Sequence, residues 1–422
     1  MRIVMAVFCW CLVIFCSLSA SGTSQDKEKL SLFTFELPEP CYSVKVLDTK
    51  RIIAFTKMYR ELPATSREGV IKYLDGFYTT KIYLIITDFK GKAQATLLRE
   101  IEFCPIIDVI TKNNGDLFFA GLYPYCFEPH PNLAVNPWVY LLFSFISDGE
   151  IKSLQRQKYK SPLDNAKDLD GIQKGVREIK QDEHVIFSLR LPSKKESLGE
   201  ILAGFTFIRL FSKDDSIFAT MTSEDDSIYK IWAINLDADK EKVSVDKFWP
   251  TGIEGTSLRV IPLPASLLLT YKKSNQRLWK YREGRELKVP IEMISELHEK
   301  LFIREIDASF PEYLQPLSLK TDEIVCPKET KTYDTGIWKD NIIFSLTCST
   351  GNKNDFISFL SYTPKGNKWA DLFELVDEKY ILSNPSIFID GDFVFGACVL
   401  NDGDKKSIGY FHGKLPVKEE DK

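Results

Sequence analysis

A short phrase recurs along the chain: a polar turn, two or three large apolar residues, then a small or polar one. It reads TKRIIAFTK from residue 49, NGDLFFAGL from 114, DEHVIFSLR from 182, DDSIFATMT from 214, PASLLLTYK from 264, KDNIIFSLT from 339 and DGDFVFGAC from 390. Each copy is too short for a helix and too apolar for a strand with one wet face. Each therefore predicts a strand buried on both sides.

A second phrase follows most copies, an aromatic-rich alternating strand that ends in a Gly or Asp turn. It reads IYLIITDFKGK from 82, VYLLFSFISDGE from 139, IYKIWAINLDADKE from 228, RLWKYREGRE from 277, FISFLSYTPKGNK from 356 and SIGYFHGK from 407. The unit at 182 lacks a clean second phrase, so Lys180 to Phe211 reads as a reduced unit or one that shares strands with its neighbour.

Units of about 40 to 60 residues that each hold several strands are the mark of a β-propeller. A lone four-stranded blade is apolar on both faces, and only a ring of blades covers every face. The expected fold is all-β, a propeller of six or seven four-stranded blades over residues 30–416. A β-sandwich is the alternative for short strands, but it gives no reason for an ordered repeat. The segment LSLFTFEL at 30 to 37 is placed to complete the last blade beside SIGYFHGK.

Three stretches break the pattern: Lys57 to Thr80, the aromatic and proline-rich YPYCFEPHPNLAVNP from Tyr123 to Pro137, and Val289 to Pro311. In the last, Ile291, Ile294, Leu297 and Leu301 fall at helical spacing and predict a short amphipathic helix.

The start of the chain reads as targeting. Arg2 is followed by an uncharged apolar run from Ile3 to Phe15 and by Ala20, Ser21 and Gly22, as in a cleaved signal peptide over residues 1–22. A lipid anchor at Cys16 fits less well, because bulky Phe15 precedes it. An uncleaved anchor over Ile3 to Ala20 is the other alternative. The expectation is an exported protein, periplasmic, secreted or at the cell surface, with no membrane span after leader cleavage, and a charged tail at 417–422.

Loss of a leader removes Cys9, Cys11 and Cys16 and leaves Cys41, Cys104, Cys126, Cys326, Cys348 and Cys398. An even count in an exported chain reads as disulfides. The spans FCPIIDVITKNNGDLFFAGLYPYC and VCPKETKTYDTGIWKDNIIFSLTC repeat one clasp, so Cys104 with Cys126 and Cys326 with Cys348 are the expected local pairs, each across a hairpin. Cys41 with Cys398 remains by elimination, a bond that closes the ring at the seam between the chain's ends.

The span IIDVITKNNGDLFFAG with VYLLFSFISDGE, and SNPSIFIDGDFVFGACV near the end, resemble blades of the NHL and TolB-like propeller superfamily. There an Asp-Val strand, a Gly turn, an apolar strand and a strand ending in Asp-Gly follow in order. The resemblance implies the fold; such propellers serve as scaffolds, receptors and lactonases, so it carries over no catalytic residue.

Composition narrows the chemistry. The 55 basic and 59 acidic residues are spread along the 422-residue chain with no basic stripe, which argues against a nucleic-acid partner. Four histidines, at 130, 184, 298 and 412, form no pair at ligand spacing. There is no Gly-x-Ser-x-Gly elbow and no Gly-rich phosphate loop. The acids Asp214, Asp215, Glu224, Asp225 and Asp226 lack the register and central glycine of a calcium loop and read as solvated turns.

The aromatic insertion is the candidate binding surface, with Tyr123, Tyr125, Phe127, His130 and Trp138 as its contact residues for a protein, peptide or carbohydrate. Its alternative role is to cap the blades. The expectation is a monomeric, exported, non-catalytic binding or scaffolding propeller without a cofactor. The alternative is a calcium-dependent hydrolase or lactonase at the central channel, in which Asp108 and Asp116 would hold the ion with partners from other blades. A structural subunit of an envelope complex is a third possibility.

Overall fold

In the computed structural model the described residues are 30–61, 76–102, 106–112, 114–123, 140–146, 179–181, 184–189, 206–213, 216–225, 228–238, 243–263, 266–273, 280–282, 285–287, 299–307, 324–349, 355–403 and 405–416. Every regular element among them is a strand. The first, β1 (Phe33–Phe35), is separated from the sheet it joins by almost the whole chain.

Six sheets of four or five strands follow in order. The first holds β2 (Cys41–Val46), β3 (Arg51–Glu61), β4 (Gly76–Thr87) and β5 (Ala93–Glu102). The second holds β6 (Ile106–Thr111), β7 (Leu117–Tyr123), β8 (Tyr140–Ile146), β9 (Ile179–Gln181) and β10 (His184–Leu189), with β10 between β8 and β9. In the third are β11 (Thr206–Lys213), β12 (Ser216–Asp225), β13 (Ile228–Ala238) and β14 (Val243–Glu254). The fourth takes β15 (Thr256–Pro262) and β16 (Ser266–Lys273), leaves β17 (Lys280–Arg282) and β18 (Arg285–Leu287) as a separate ribbon, and resumes with β19 (Glu299–Asp307) and β20 (Ile324–Thr330). The fifth is β21 (Tyr333–Trp338), β22 (Asn341–Cys348), β23 (Phe356–Thr363) and β24 (Lys368–Leu375). The sixth is β25 (Ile381–Asp390), β26 (Phe393–Asn401) and β27 (Lys406–Lys414), completed by β1 on its outer edge.

The arrangement is propeller-like because the first strands of neighbouring sheets meet around a centre. β2 packs on β6 and β25, β11 packs on β6 and β15, and β21 packs on β25. The cores lie between sheets. Ile342, Phe344 and Leu346 join a cluster with Ile261, Leu268 and Ile303 of the fourth sheet, whereas Ile343 points the other way, to Leu382, Val394 and Phe411 of the sixth. Successive strand residues face opposite sides, so a strand with a core on each side needs an unbroken apolar run. That requirement explains the recurring phrase.

Three sequence expectations change here. Of the two readings of the copy at 182, the reduced unit gives way to shared strands: β10 pairs with β8, Ile186 opposite Ser144, and lies between β8 and the edge strand β9 in the second sheet. RLWKYREGRE does not supply the third strand of the fourth sheet either; β16 pairs with β19, Thr270 opposite Ile303. The segment read as a helix is therefore a strand from Glu299 onward. Leu301 and Ile303 alternate into the core and Phe302 stacks on Tyr271 from the other side, so sheet pairing overrides the 3.6-residue reading.

The N-terminal strand behaves as expected. Phe33, Thr34 and Phe35 pair with Tyr410, Gly409 and Ile408. Glycines make room for it: a Cβ on Gly413 would lie 2.1 Å from Leu30 Cδ2, and one on Gly409 would lie 2.9 Å from Leu32 Cδ1.

Cys41, Cys326, Cys348 and Cys398 are buried free thiols in this structure. Cys41 lies in the cluster between the sixth and first sheets, and Cys398 in the one between the fifth and sixth. The two thiols belong to different core clusters, yet they are near enough for Cys41 to help raise the Cys398 pKa, after burial. Cys104 and Cys126 lie outside the described residues.

Candidate functional site

Five of the six first strands share one irregularity. A register shift falls between Cys41 and Ser43, Ile106 and Asp108, Thr206 and Arg209, Thr256 and Arg259, and Ser383 and Ser386. The fifth sheet has none: Tyr333, Asp334 and Thr335 pair regularly with Leu346, Ser345 and Phe344. Bulges bend a strand and re-aim the side chain that follows. Here the residues that follow are Ser43, Asp108, Arg209, Arg259 and Ser386, and Asp334 stands at the matching place.

Two bulges are held in the left-handed region two residues upstream, at Ser257 (φ 55°) and Asn384 (φ 47°). Asn384 is anchored there. Its Nδ2 donates to the Tyr42 carbonyl at 2.8 Å and its backbone N–H to Thr332 Oγ1 at 3.1 Å.

The re-aimed side chains interact between sheets. Asp108 Oδ2 accepts the Leu210 N–H at 2.9 Å, and Asp334 Oδ2 accepts the Ile387 N–H at 3.1 Å and the Ser386 hydroxyl at 2.9 Å. Ser386 Oγ in turn accepts the Val46 N–H at 3.0 Å. Arg259 Nη1 lies 2.7 Å from Asp334 Oδ1, its Nη2 donates to the Tyr333 carbonyl at 2.9 Å, and its guanidinium lies 5.3 Å from the Tyr333 ring centre. Lys45 Nζ reaches Asp334 Oδ2 at 3.3 Å.

A cavity of about 170 Å³ opens among these groups, lined by residues of four first strands that include Lys45, Arg209, Phe211, Arg259, Asp334 and Thr335. Lys45, Arg209 and Arg259 bring three positive charges, against two negative ones on Asp108 and Asp334. Burial and the neighbouring Arg259 charge both lower the Arg209 pKa, and the Asp108 charge opposes them. For Asp334, burial alone would raise the pKa; Arg259, then Lys45, then the Ile387 N–H and Ser386 hydroxyl overcome it and bring the carboxyl to about 2. Asp334 is thus an anion throughout the neutral range, surrounded by fixed donors. Tyr333 is pushed to about 12, mainly by burial, and stays a neutral phenol whose hydroxyl donates to the Ser257 carbonyl at 2.7 Å.

Chemically, this is a buried cluster rich in cations where the first strands meet. Guanidiniums present planar N–H forks that match a carboxylate, and Arg259 already directs Nη1 to Asp334 and Nη2 to the Tyr333 carbonyl. It is a poor place for calcium, since three cations crowd the two carboxylates, whose oxygens are already engaged. Among the described residues no three His, Cys, Asp or Glu side chains gather as metal ligands. Asp116, the second acid considered for calcium, accepts from Asn114 Nδ2 at 2.8 Å within its own turn.

Of the sequence-selected binding residues, Tyr123 ends β7, while Tyr125, Phe127, His130 and Trp138 lie outside the described residues. Of the ring residues only Asp108 was singled out, as a calcium ligand; the others were missed, although the sequence carries a mark of them. A lone polar residue stands inside the apolar strand before several phrases, as in SVKVL, IIDVI, FIRLF and SLRVI.

No known protein family matches this chain, and no curated protein matches it. Solved structures resemble it in outline. Trypanosoma rangeli sialidase aligns at 9% identity over 92% of this chain and 58% of its own, with a TM-score of 0.46. The GH93 alpha-L-arabinofuranosidase of Fusarium graminearum, solved with arabinobiose, aligns at 9% identity over 93% and 95%, with a TM-score of 0.46. The polysaccharide lyase Uly1 aligns at 11% identity over 90% of each chain, with a TM-score of 0.42. The chain spans only 58% of the sialidase's length.

These proteins are enzymes, a finding that stands against the expectation of a non-catalytic binding or scaffolding protein and against the reading that the chain is not an enzyme. Likeness at this level transfers no substrate and no catalytic residue.

Proposed function

We propose that the chain is a six-bladed propeller hydrolase that takes an anionic carbohydrate at the mouth of its central channel. Arg209 and Arg259 hold the substrate's carboxylate, Lys45 adds a positive charge beside them, and Asp334 with Tyr333 fixes Arg259. The observation that carries the reading is the cavity lined by Lys45, Arg209, Arg259 and Asp334, with its arginines aimed by bulges. A cavity of about 150 Å³ takes a benzene ring, so the space here suits one sugar ring or its acidic end. Calcium has no part in this reading, because the ring's carboxylates are already paired. The leader-like start supports a substrate met outside the cell.

The test compares fluorogenic glucuronides with the matching glucosides on the full chain, before and after treatment with EDTA. The expected result is turnover of the acidic sugar alone, insensitive to EDTA, with kcat/KM reduced about 100-fold or more by Arg259→Met, the scale for loss of a charge-assisted clamp. Equal turnover of neutral and acidic sugars, or no binding of the acidic one, would overturn the reading. Loss on EDTA treatment would restore the calcium alternative.

A further inference from the structure

Cys326 and Cys348 were expected to close one hairpin, but the structure puts them in different sheets. Cys326 lies on β20, the outer strand of the fourth sheet, and Cys348 ends β22, the second strand of the fifth. Both side chains enter the same core cluster between those sheets, each only 4% exposed. The chain between them is pinned so that the two strands run close. Thr330 Oγ1 donates to the Thr347 carbonyl at 3.0 Å, and the Lys331 N–H donates to the same oxygen at 3.0 Å. The Thr347 N–H returns to the Thr332 carbonyl at 2.9 Å. Thr347 is the immediate neighbour of Cys348, and Thr330 lies one short stretch beyond Cys326.

We propose that Cys326 and Cys348 form a disulfide that fastens the fourth sheet to the fifth, beside the boundary where Arg259 meets Asp334. The two thiols give up two protons and two electrons, and a small-molecule disulfide such as oxidised glutathione is reduced to two thiols. The bond holds β20, whose pairing with β19 is broken by a register shift between Lys300 and Phe302. It does not depend on the proposed hydrolase activity.

Burial raises both thiols, Cys326 to about 11 and Cys348 to about 12, although the Lys328 charge opposes the rise for each. Thiols that stay protonated exchange slowly. The bond therefore forms while the chain folds and resists reduction once folding is complete.

The full chain is refolded in a mixture of reduced and oxidised glutathione, blocked with iodoacetamide and digested without reduction. A peptide carrying Cys326 joined to one carrying Cys348 is expected. Recovery of both as alkylated thiols, or of Cys326 joined to any other cysteine, would overturn the proposal. In oxidised protein, replacing either cysteine by serine lowers Tm by about 4 °C, the scale for a loop of roughly 20 residues in a chain of this size, and the double replacement lowers it no further. Additive losses would also overturn it. Mapping the unaltered chain decides the matter even where a variant fails to fold.

Discussion

Arg259 and Asp334 meet across the boundary between the fourth and fifth sheets, Nη1 to Oδ1 at 2.7 Å, with Asp334 only 2% exposed. The pair joins two strands that form no ladder with each other, and it fixes the direction of a guanidinium at the cavity. Asp334→Asn keeps the shape but leaves Arg259 and Lys45 without their counter-charge. Stability is expected to fall by about 3 kcal/mol, as for a buried pair deprived of one partner. Urea unfolding measures the loss, and an unchanged midpoint would show the pair to be dispensable.

The same carboxyl sets an acid limit. Its folded-state pKa of about 2 lies below the free value of 3.8, so the unfolded chain takes up the proton first. The contribution is complete above about pH 4 and is lost as pH falls through about 2. Its size is about 2 kcal/mol. Urea midpoints taken between pH 5 and 2 should show this decline in the native protein and lack that increment in Asp334→Asn.

Gly255 prepares the bulge that aims Arg259. At φ 149° it holds a conformation other residues avoid, and a Cβ there would lie 2.5 Å from the Lys272 carbonyl oxygen, a backbone atom. Gly255→Ala is expected to cost about 2 kcal/mol or more. Gly391→Ala makes a control: its φ is 56°, nothing lies within 4 Å of a Cβ, and the left-handed conformation alone costs about 1 kcal/mol. Equal losses in the two variants would show that the close approach to Lys272 has no weight.

Deleting residues 1–37 removes β1 from the sixth sheet. The stack of Phe33 on Tyr410, with ring centres 5.6 Å apart, is lost with it. So are the contacts of Leu30 and Leu32 over their glycines. The loss of apolar contact is about 3 kcal/mol, and the bared edge of β27 becomes a site for pairing with other chains. Thermal melting and size-exclusion chromatography are expected to show a lower Tm and concentration-dependent association.

Much of the fold was legible because it rests on local periodicity. The runs Ile52–Phe55, Leu117–Ala120 and Ile342–Phe344 read as strands with both faces buried, and each is so. The errors arose where pairing decides. Nothing local says whether 184–189 opens a new sheet or closes an old one, and Leu301 fits a helix until β16 supplies the strand it lies against. The candidate site was less legible. Asp108 drew notice as a calcium ligand and Cys326 as half of a hairpin, but their neighbours come from other sheets. Leu210 meets Asp108 from 102 residues away.

Local order along the chain fixes the strands, their apolar faces and the N-terminal segment that completes the last sheet, because alternation along a strand and turn chemistry act over a few residues. Packing between sheets settles which polar residues share the centre and which cores hold the cysteines. Those relations depend on where bulges fall and on how whole sheets pack side by side, and neither is written in the spacing of any one segment.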